Sequence, residues 1–443
     1  MKIPLSARAM PLLCACLLLV QDVPALAQDV PAPVPLLKSG QPVNWWFVFK
    51  FNAASFPECG GVQRTCLFGG SVQPYKAFGQ QFVFASSVNG ALQQGGGCVG
   101  DAITDPLGAT FDQIYNGNAY YVLWNDQFYG DPLATQFAPA GHSKGMLAWN
   151  DLGDGMVLEV STPSWPASGS AKQPRKTDGN TLGCVSDDDV LVSQHFFALK
   201  LNKADVAAVL GALANSSVVT DPANLQIVNN GGPSDIQQLV QGLGGISKSK
   251  TPSMSTLSSG VVLISKPSNL NVPPWQMVSA LLGGVPLRVA SWWTDPKIPT
   301  TTASTSIGCW DVSLPKPGAV EIATTGTWQE KTLGFLGVSE PDGNHAKIGV
   351  STSQGASTPL RRTPPNRHCT ENDSSPECVP VRNACLFGTC PYVIFGDMNQ
   401  QGSLSGPNCD SSQNGRGGLF FVLRDPALYQ SVQQLLQGQT APQ

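Results

Sequence analysis

A three-residue pattern that occurs twice is the strongest constraint on what this chain can fold into. His142-x-Lys144 lies in the first half and His345-x-Lys347 in the second, and the whole sequence holds only four histidines. An apolar stretch follows each copy, which indicates a β-strand. Side chains two residues apart on a strand point to the same face, so each copy can aim an imidazole and an ammonium at one point. We therefore expect two similar halves that each contribute one such pair to a shared pocket.

Two histidines and two lysines around one pocket suit a phosphodiester. One imidazole can attack phosphorus, the other can protonate the leaving oxygen, and the lysines can hold the anionic oxygens. The competing interpretation is that each histidine is an ordinary surface or core residue beside a strand. The repetition of the pattern in a chain so poor in histidine favours chemistry.

Composition and charge restrict the class of protein further. The chain has 443 residues, is 42% hydrophobic and only 13% charged, and is rich in Gly (46) and Pro (36). The charged fraction is well below the usual value of roughly 25%, which fits a loop-rich, strand-rich exported protein with a large core. The formal charge of −4 excludes a polycation that coats nucleic acid by counterion release. DNA binding would therefore need a local basic groove.

The N-terminus has the features of a secretory leader. Lys2 and Arg8 are followed by a short apolar core over 12–20, and Ala25-Leu26-Ala27 matches a small-x-small cleavage site. We assign residues 1–27 as a signal peptide and expect export to the periplasm or the extracellular medium. The apolar run is too short for a membrane anchor, which needs about 20 residues, so we expect no membrane association.

Ten cysteines remain after the two in the leader are removed. An even number in an exported protein predicts up to five disulfides, whose connectivity one sequence cannot define. No Cys-x-x-Cys pair exists and no histidine is placed to complete a ligand cluster, so zinc is disfavoured. We expect neither a metal nor another cofactor.

The order of elements divides the chain into two halves of α/β type, with mixed sheets flanked by helices. We place the first half at 28–245, an exposed linker at 246–260, and the second half at 261–443. Buried strands are predicted at 45–51, 120–124, 156–160, 195–201, 261–264, 287–293 and 392–395. Helices are predicted at 203–214 after Asn202, at 234–243, and at 426–436 after Asp425-Pro426. The matching strand and motif content indicates an internal duplication.

Several segments of the chain occur in an order that matches a known family between about residues 44 and 420. They are Trp45–Lys50, Trp124–Gln127, Gly141–Gly145, Ser161–Pro166, Gly179–Thr181, Cys184–Ser186, Asn344–Lys347 with Val350–Ser351, Gly396–Asn399 and Arg416–Gly418. In this ordered series the chain resembles deoxyribonuclease II, an acid, metal-independent endonuclease with a phospholipase-D-like fold.

The resemblance implies a phospholipase-D-like, pseudo-two-fold arrangement of the two halves and DNA as the substrate. It also implies a phosphohistidine intermediate and products with 3′-phosphate and 5′-hydroxyl ends. The expected catalytic residues are His142 as nucleophile and His345 as acid, with Lys144 and Lys347 at the non-bridging oxygens.

The resemblance also suggests residues that bind the substrate. Asn180 and Asn399 are expected as neutral donors and Asp397 as a residue that orients a histidine, although a turn role for each is an equal alternative. His195 and His368 lack the motif and are expected to be structural or surface residues.

The sequence departs from the resemblance at two points. The family often carries a histidine just before the Ser-x-Pro segment, where this chain has Val160. The wider superfamily has an aspartate seven residues after the motif histidine, where this chain has Trp149 and Thr352. A phospholipase-D-like lipid or other phosphodiesterase, and a non-catalytic exported binding module, therefore stay open as alternatives. The oligomeric state also stays open, a homodimer included.

Overall fold

Two β-sheets, one from each half of the chain, form the centre of the protein. The computed structural model describes residues 1, 31–57, 81–100, 102–128, 138–163, 165, 170–173, 191–352 and 391–443. Within these residues, the first sheet contains β1 (Trp45–Lys50), β2 (Phe82–Ser86), β3 (Asn89–Gln94), β4 (Tyr120–Asn125), β5 (Lys144–Trp149), β6 (Gly155–Val160), β7 (Gln194–Leu201) and β8 (Val228–Asn229). Their order across the sheet is β3-β2-β1-β7-β6-β5-β4-β8.

The second sheet comes from the second half of the chain. It contains β9 (Ser253–Thr256), β10 (Val262–Lys266), β11 (Leu287–Ala290), β12 (Val320–Ile322), β15 (Ile348–Ser351), β16 (Tyr392–Gly396) and β17 (Gly418–Arg424). The order is β12-β11-β15-β16-β17-β10-β9. The strands β13 (Thr325–Trp328) and β14 (Lys331–Gly334) form a separate hairpin.

The two sheets share one topology. The order β1-β7-β6-β5-β4 in the first corresponds to β10-β17-β16-β15-β11 in the second, so β5 and β15, which follow the two histidines, occupy equivalent positions. The helices correspond as well. The helices α1 (Pro106–Tyr115) and α4 (Pro274–Leu281) precede β4 and β11. The helices α2 (Lys203–Asn215) and α5 (Pro426–Leu435) follow β7 and β17, while α3 (Ser234–Gln241) follows α2. The mixed α/β fold is the one expected from the sequence.

Aromatic side chains join the sheets. Phe395 of β16 lies 4.6 Å from Phe47 of β1 and 4.5 Å from Phe197 of β7, measured between ring centroids. Phe197 also contacts Phe421 of β17 at 5.6 Å. These rings are fully buried in one hydrophobic core that contains residues of both halves. Each buried aromatic ring removes a large apolar area from water, so this layer fixes the two sheets against each other.

The helix boundaries agree with the capping signals in the sequence. The Asn202 side chain accepts a hydrogen bond from the Asp205 backbone, and the Asp205 side chain accepts one from the Asn202 backbone, which completes a capping box at α2. Asp425 caps α5, whose first residue is Pro426. Among the described residues, no helix is long and apolar enough to span a bilayer. A disulfide joins Cys309 to Cys409.

The strand boundaries correct three sequence expectations. The segment 246–260 is not only a loop, because β9 lies within it and pairs with β10. The strand predicted at 287–293 ends at Ala290. Neither motif histidine lies on a strand, since β5 begins at Lys144 and β15 begins at Ile348, after the second motif. Both histidines lie in the segments that lead into these strands.

Two fully buried lysines occupy equivalent strand ends. Lys50 of β1 pairs with Gln194, and Lys266 of β10 pairs with Gly418, the first residues of β7 and β17. Lys50 Nζ donates to the Val192 carbonyl at 2.5 Å. Lys266 Nζ donates to the carbonyls of two residues just before β17, Asn414 and Arg416, at 2.7 and 2.8 Å. Each ammonium thus fixes the segment that enters the neighbouring strand.

We predict that Lys266→Met destabilises the protein, because the carbonyls of Asn414 and Arg416 lose their buried donor. A buried acceptor left unsatisfied costs about 1–3 kcal/mol. Urea unfolding should show this loss, while Lys316→Met, on the exposed surface, should unfold like the wild type. Equal midpoints for the two variants would contradict the role assigned to Lys266.

Candidate active site

Each motif is anchored to the opposite half of the protein. The His142 backbone N–H donates to the Gly417 carbonyl at 2.8 Å, and the His345 backbone N–H donates to the Ser193 carbonyl at 2.8 Å. Gly417 and Ser193 directly precede the equivalent strands β17 and β7. The segments that hold the histidines therefore meet where the two halves join.

The motifs contribute to one cleft of about 510 Å³. His142 and His345 are each only 7% exposed, so both imidazoles belong to the cleft wall rather than to the outer surface. The two histidines thus share one cleft, as the repeated pattern predicts. Residues from both halves form its walls: Asp126, Gln127, Ala138, His142, Ser161, Pro163, Trp292, Ser339, His345, Lys347, Asn399, Gln401, Ser412, Gln413 and Arg416.

The tautomer of His142 follows from one contact. Its Nδ1 lies 2.7 Å from the backbone carbonyl oxygen of Asp397. A carbonyl can only accept, so Nδ1 carries the proton and Nε2 of the neutral ring holds the lone pair. Burial lowers the pKa of His142 well below its usual value, and the neighbouring Lys144 lowers it further. The neutral, nucleophilic form is therefore favoured.

His345 has different neighbours. Its Nδ1 lies 3.3 Å from the amide nitrogen of Gln194, and the ring meets Trp292 edge-on with centroids 4.1 Å apart. Burial, followed by the charges of Lys347 and Lys144, lowers the pKa of His345 well below its usual value. The cationic form of this ring therefore needs acid conditions or a nearby anion.

A buried ionic group lies beside the first motif. Lys144 Nζ contacts Asp126 Oδ1 at 2.5 Å, and Arg416 Nη2 contacts Asp126 Oδ2 at 2.9 Å. Arg416 also donates to the carbonyls of Ala140 and Gly141. Burial by itself would raise the pKa of Asp126, but the cationic neighbours outweigh this effect and lower it. One carboxylate thus holds two cations at the cleft.

Lys347 supplies the cation of the second motif. Its Nζ donates to the His345 backbone carbonyl at 2.6 Å, and the residue lines the cleft. Burial lowers the pKa of Lys347 to about 7, with Lys144 contributing in the same direction. Lys347 is therefore charged below about pH 7 and loses its charge as the pH rises through that value.

A second polar network lies behind the motifs, where the halves meet. Asp397 Oδ2 accepts from Ser143 Oγ at 2.5 Å. His195 accepts the Lys347 backbone N–H at Nδ1, so its Nε2–H donates to Glu159 at 2.9 Å. Burial raises the pKa of both Glu159 and Asp397, which also interact with each other. His195 is thus a buried structural residue, and its contact with the Lys347 backbone positions the second motif.

The residues predicted from the sequence divide into those at the cleft and those behind it. The Asp397 side chain lies behind the cleft, and its backbone carbonyl is the group that contacts His142. Asn180, like His368, is outside the described residues. The cleft itself is lined by His142, His345, Lys347 and Asn399, and Lys144 contacts the lining residue Asp126.

Asn399 lines the cleft, and the resemblance implies that it acts as a neutral donor. Its Nδ2 donates to Gln401 Oε1 at 2.8 Å. Its buried Oδ1 has no hydrogen-bond partner within the described part of the chain. An acceptor of this kind at a cleft wall is available to a donor group of a bound molecule.

Sequence reasoning gave no role to four residues that shape the site: Asp126, Arg416, Trp292 and Gln194. Asp126 and Arg416 stand in segments that matched the family, but their pairing joins positions 290 residues apart. Trp292 is explained by strand register. Trp124 pairs with the residue after Lys144, and Ala290 pairs with the residue after Lys347, so Trp124 and Ala290 occupy equivalent positions. Asp126 lies two residues after Trp124, and Trp292 lies two residues after Ala290, so these two positions are equivalent as well. Equivalent positions of the two halves therefore hold an acid and an indole.

The chemistry of the cleft is dominated by imidazoles and nitrogen cations. Across the described segments, no group of three or more His, Cys, Asp or Glu is arranged to hold a metal ion. The side chains present can surround an anionic group with one imidazole lone pair, a second imidazole and cations from Lys347 and Arg416. Such a set is suited to displacement at a phosphodiester.

Comparison with known proteins agrees with this chemistry. The family model described as deoxyribonuclease II matches residues 35–441. Deoxyribonuclease-2-alpha of Sus scrofa is 29% identical over 155 residues, which cover 33% of this chain and 38% of that relative. The aligned region thus spans less than half of the curated relative.

We predict that Asp126→Asn lowers the free energy of unfolding by about 3–5 kcal/mol, because it leaves Lys144 and Arg416 buried without their carboxylate. The pKa of Asp126 is lowered in the folded protein. The stabilisation of the fold by the Asp126 carboxylate is therefore fully present above the usual aspartate pKa. It is lost only as the pH falls through the lowered pKa.

Urea unfolding at about pH 5 and about pH 7 should therefore show the same loss. The matched control is Asp235→Asn, which breaks an exposed ion pair with Lys203 and should leave the unfolding midpoint unchanged. A destabilisation by Asp126→Asn that disappears at the lower pH would contradict the assigned charge state.

Proposed function

This chain belongs to the deoxyribonuclease II family, and from that premise we propose that it is an acid endonuclease that hydrolyses DNA phosphodiesters without a metal. The observation that carries the proposal is the meeting of His142 and His345, with Lys144 and Lys347, at one cleft. The two imidazoles differ in their Nδ1 partners, which fits two different roles. One chain supplies both motifs, so the proposed site needs no second copy.

In the first step, Nε2 of His142 attacks phosphorus and the P–O5′ bond breaks. The departing O5′ takes a proton from the His345 imidazolium and leaves as a 5′-hydroxyl. The phosphoryl group, still joined to the 3′-oxygen, is then bound to His142 as a phosphohistidine. The contact between His142 Nδ1 and the Asp397 carbonyl keeps the lone pair on Nε2, where the new bond forms.

In the second step, a water molecule attacks the phosphohistidine. His345, now neutral, takes a proton from this water, and the bond between phosphorus and His142 Nε2 breaks. The products are a 3′-phosphate end and the regenerated pair of histidines. The same ring thus serves as acid and then as base, while His142 remains the nucleophile.

Cationic side chains stabilise the negative charge on the non-bridging oxygens during both steps. Lys347 and Arg416 line the cleft, and Lys144 forms an ion pair with the lining residue Asp126. Preorganised charge in a site of low water content acts strongly at the transition state because little reorganisation is needed. These residues take the role that a divalent ion has in other nucleases.

The character of the cleft favours DNA over a lipid substrate. The exposed large hydrophobic side chains of the described chain, such as Val88, Leu152 and Val312, are not among the residues that line the cleft. A lipase would be expected to present an apolar surface at its entrance. A non-catalytic binding module would give no reason for two buried imidazoles and their cations at one cleft.

The proposed location is outside the cytoplasm, in the periplasm or the medium. The disulfide between Cys309 and Cys409 fits an oxidising compartment. The leader predicted at 1–27 fits the same destination.

We predict that His142→Ala and His345→Ala each remove nearly all cleavage of plasmid DNA. Groups that act as a unit are not additive, so the double variant should be little worse than either single variant. Lys347→Ala should reduce the rate by roughly 10²–10³, the usual effect of losing one preorganised donor at a developing charge.

The matched control for Lys347→Ala is Lys203→Ala. Lys203 is an exposed lysine that forms an ion pair with Asp235, and it is distant in sequence from both motifs. The nicking rate of this variant should equal that of the wild type, and circular dichroism should show that every variant is folded. Full activity in either folded histidine variant would refute the role assigned to that histidine.

We predict a bell-shaped pH–rate profile with its optimum on the acid side of neutrality. The lower limb follows protonation of His142, which destroys the nucleophile, and the upper limb follows loss of the proton from His345. Burial lowers both histidine pKa values, and Lys347 loses its charge above about pH 7. All three effects move the profile toward acid, and the limbs are macroscopic values of the coupled groups.

Plasmid nicking across pH, with EDTA or added magnesium, measures this profile. The rate should be the same with EDTA, and moderate salt should inhibit because it screens the binding of a polyanion. Activity that requires a divalent ion and peaks in alkali would rule out the histidine pair as the catalyst.

A further inference from the structure

Two buried carboxyl groups that the proposed reaction does not use meet behind the cleft. Glu159 lies on β6 of the first sheet, and Asp397 directly follows β16 of the second. Glu159 is 0% exposed and Asp397 is 2% exposed, and a side-chain hydrogen bond joins the two carboxyl groups. An ionised carboxylate can only accept, so this contact requires that one of the two groups holds a proton.

Glu159 connects the pair to the second motif through His195. The His195 Nε2–H donates to Glu159 Oε2 at 2.9 Å, and the Lys347 backbone N–H donates to His195 Nδ1 at 3.1 Å. Burial lowers the pKa of His195 to about 3, so the ring is neutral and has a single N–H to donate. The orientation of His195, and with it the anchor of the Lys347 backbone, therefore depends on the Glu159 carboxyl group.

Asp397 connects the pair to the first motif. Its Oδ2 accepts from Ser143 Oγ at 2.5 Å and from the Leu419 backbone N–H at 3.2 Å. The Lys144 backbone N–H lies 3.4 Å from Oδ1, and the His142 ring contacts the backbone carbonyl of Asp397 at 2.7 Å. Asp397 therefore contacts three consecutive residues of the first motif.

We propose that Glu159 and Asp397 are positioning residues that share one proton, and that this proton joins the two His-x-Lys motifs across the junction of the sheets. Without the proton, two adjacent buried carboxylates would repel each other, and the contacts on both sides would lose their common anchor. Neither carboxyl group lines the cleft, so both act through the motifs. The effect on DNA cleavage rests on the proposed function, whereas the effect on folding does not.

The surroundings of the pair favour one negative charge over two. The charged and titratable neighbours are Lys347, Lys144 and His195. His195 is neutral, and Lys144 is already in an ion pair. The lysines lower the pKa values of the pair, but burial outweighs them and raises both, and the charge of Glu159 raises the pKa of Asp397 further. The remaining carboxylate balances the charge of Lys347.

A shared proton makes the stability of the fold depend on pH in a defined direction. In the unfolded chain both carboxyl groups titrate near their usual pKa of about 4, whereas the folded pair holds one proton to a higher pH. The stabilisation by this proton is therefore fully present below the usual pKa and is lost as the pH rises from there to the raised pKa. Over this range, each pH unit should raise the equilibrium constant for unfolding about tenfold.

The first test is urea unfolding of the wild type, Glu159→Gln and Asp397→Asn across pH. Each amide supplies an N–H in place of the shared proton and leaves one carboxylate, so each variant keeps the contact and the charge of the protonated pair at every pH. The stability of each variant relative to the wild type should therefore rise about tenfold per pH unit, measured as the unfolding constant, until the raised pKa is reached.

The matched controls for this test are Glu330→Gln and Asp235→Asn. Both change exposed acids, and both should follow the wild type at every pH. If the folded Glu159→Gln and Asp397→Asn variants differ from the wild type by the same amount across this range, no proton is shared and the proposal is wrong.

The second test detects the proton in the wild type, and it does not depend on whether a variant folds. Infrared spectroscopy at about pH 6, well above the usual carboxyl pKa, should show the band of a protonated carboxyl group. Glu330→Gln should keep this band, and Glu159→Gln should lack it. Absence of the band from the wild type would overturn the proposal.

Plasmid nicking separates this proposal from the proposed function. On the acid side of neutrality, Glu159→Ala removes the acceptor of His195 Nε2–H and should slow nicking by about 10–100-fold, as the loss of a supporting partner does at metal sites. Glu159→Gln keeps that acceptor and should restore the rate. An equal loss in both folded variants would show that ionised Glu159 is needed, which contradicts a shared proton. If the wild type does not cleave DNA, the proposed function fails, and the unfolding and infrared results still decide whether the pair shares a proton.

Discussion

The exchange of backbone hydrogen bonds between the halves is the interaction on which the site depends. His142 bonds to the residue before β17, and His345 bonds to the residue before β7. Each histidine is therefore held by the half that does not contain it. The packing of Phe395 against Phe47 and Phe197 fixes the sheets that carry these anchors. The core and the site therefore depend on the same packing of the two sheets.

Burial sets the electrostatics of the cleft. Water is largely excluded from the histidines and lysines, so the charged form of each ring is disfavoured and nearby cations add to this effect. One carboxylate, Asp126, offsets the charge of Lys144 and Arg416, while Lys347 has its pKa lowered to about 7. The site thus holds positive charge that a phosphodiester would neutralise. Acid conditions and an anionic ligand both favour its fully protonated form.

A nearly symmetric frame carries an asymmetric set of side chains. The sheets share strand order, and Lys50 and Lys266 fix equivalent strand ends. The position that holds Asp126 in the first half holds Trp292 in the second. A backbone carbonyl faces Nδ1 of one imidazole and an amide faces Nδ1 of the other. The shared frame therefore brings two imidazoles together, and the difference between their neighbours allows the two to differ in chemistry.

The sequence by itself determined the local features of this protein. The repeated His-x-Lys pattern, the apolar strands that follow it, and the caps at Asn202 and Asp425 all depend on residues close in the chain, and the structure contains each of them. The pairing of Asp126 with Arg416 and of His345 with Gln194 was decided only by the tertiary structure. Those partners are 290 and 151 residues apart, and no local pattern encodes which side chains meet when two sheets pack. The tautomer of His142, and the difference between the neighbours of the two histidines, follow from such long-range contacts.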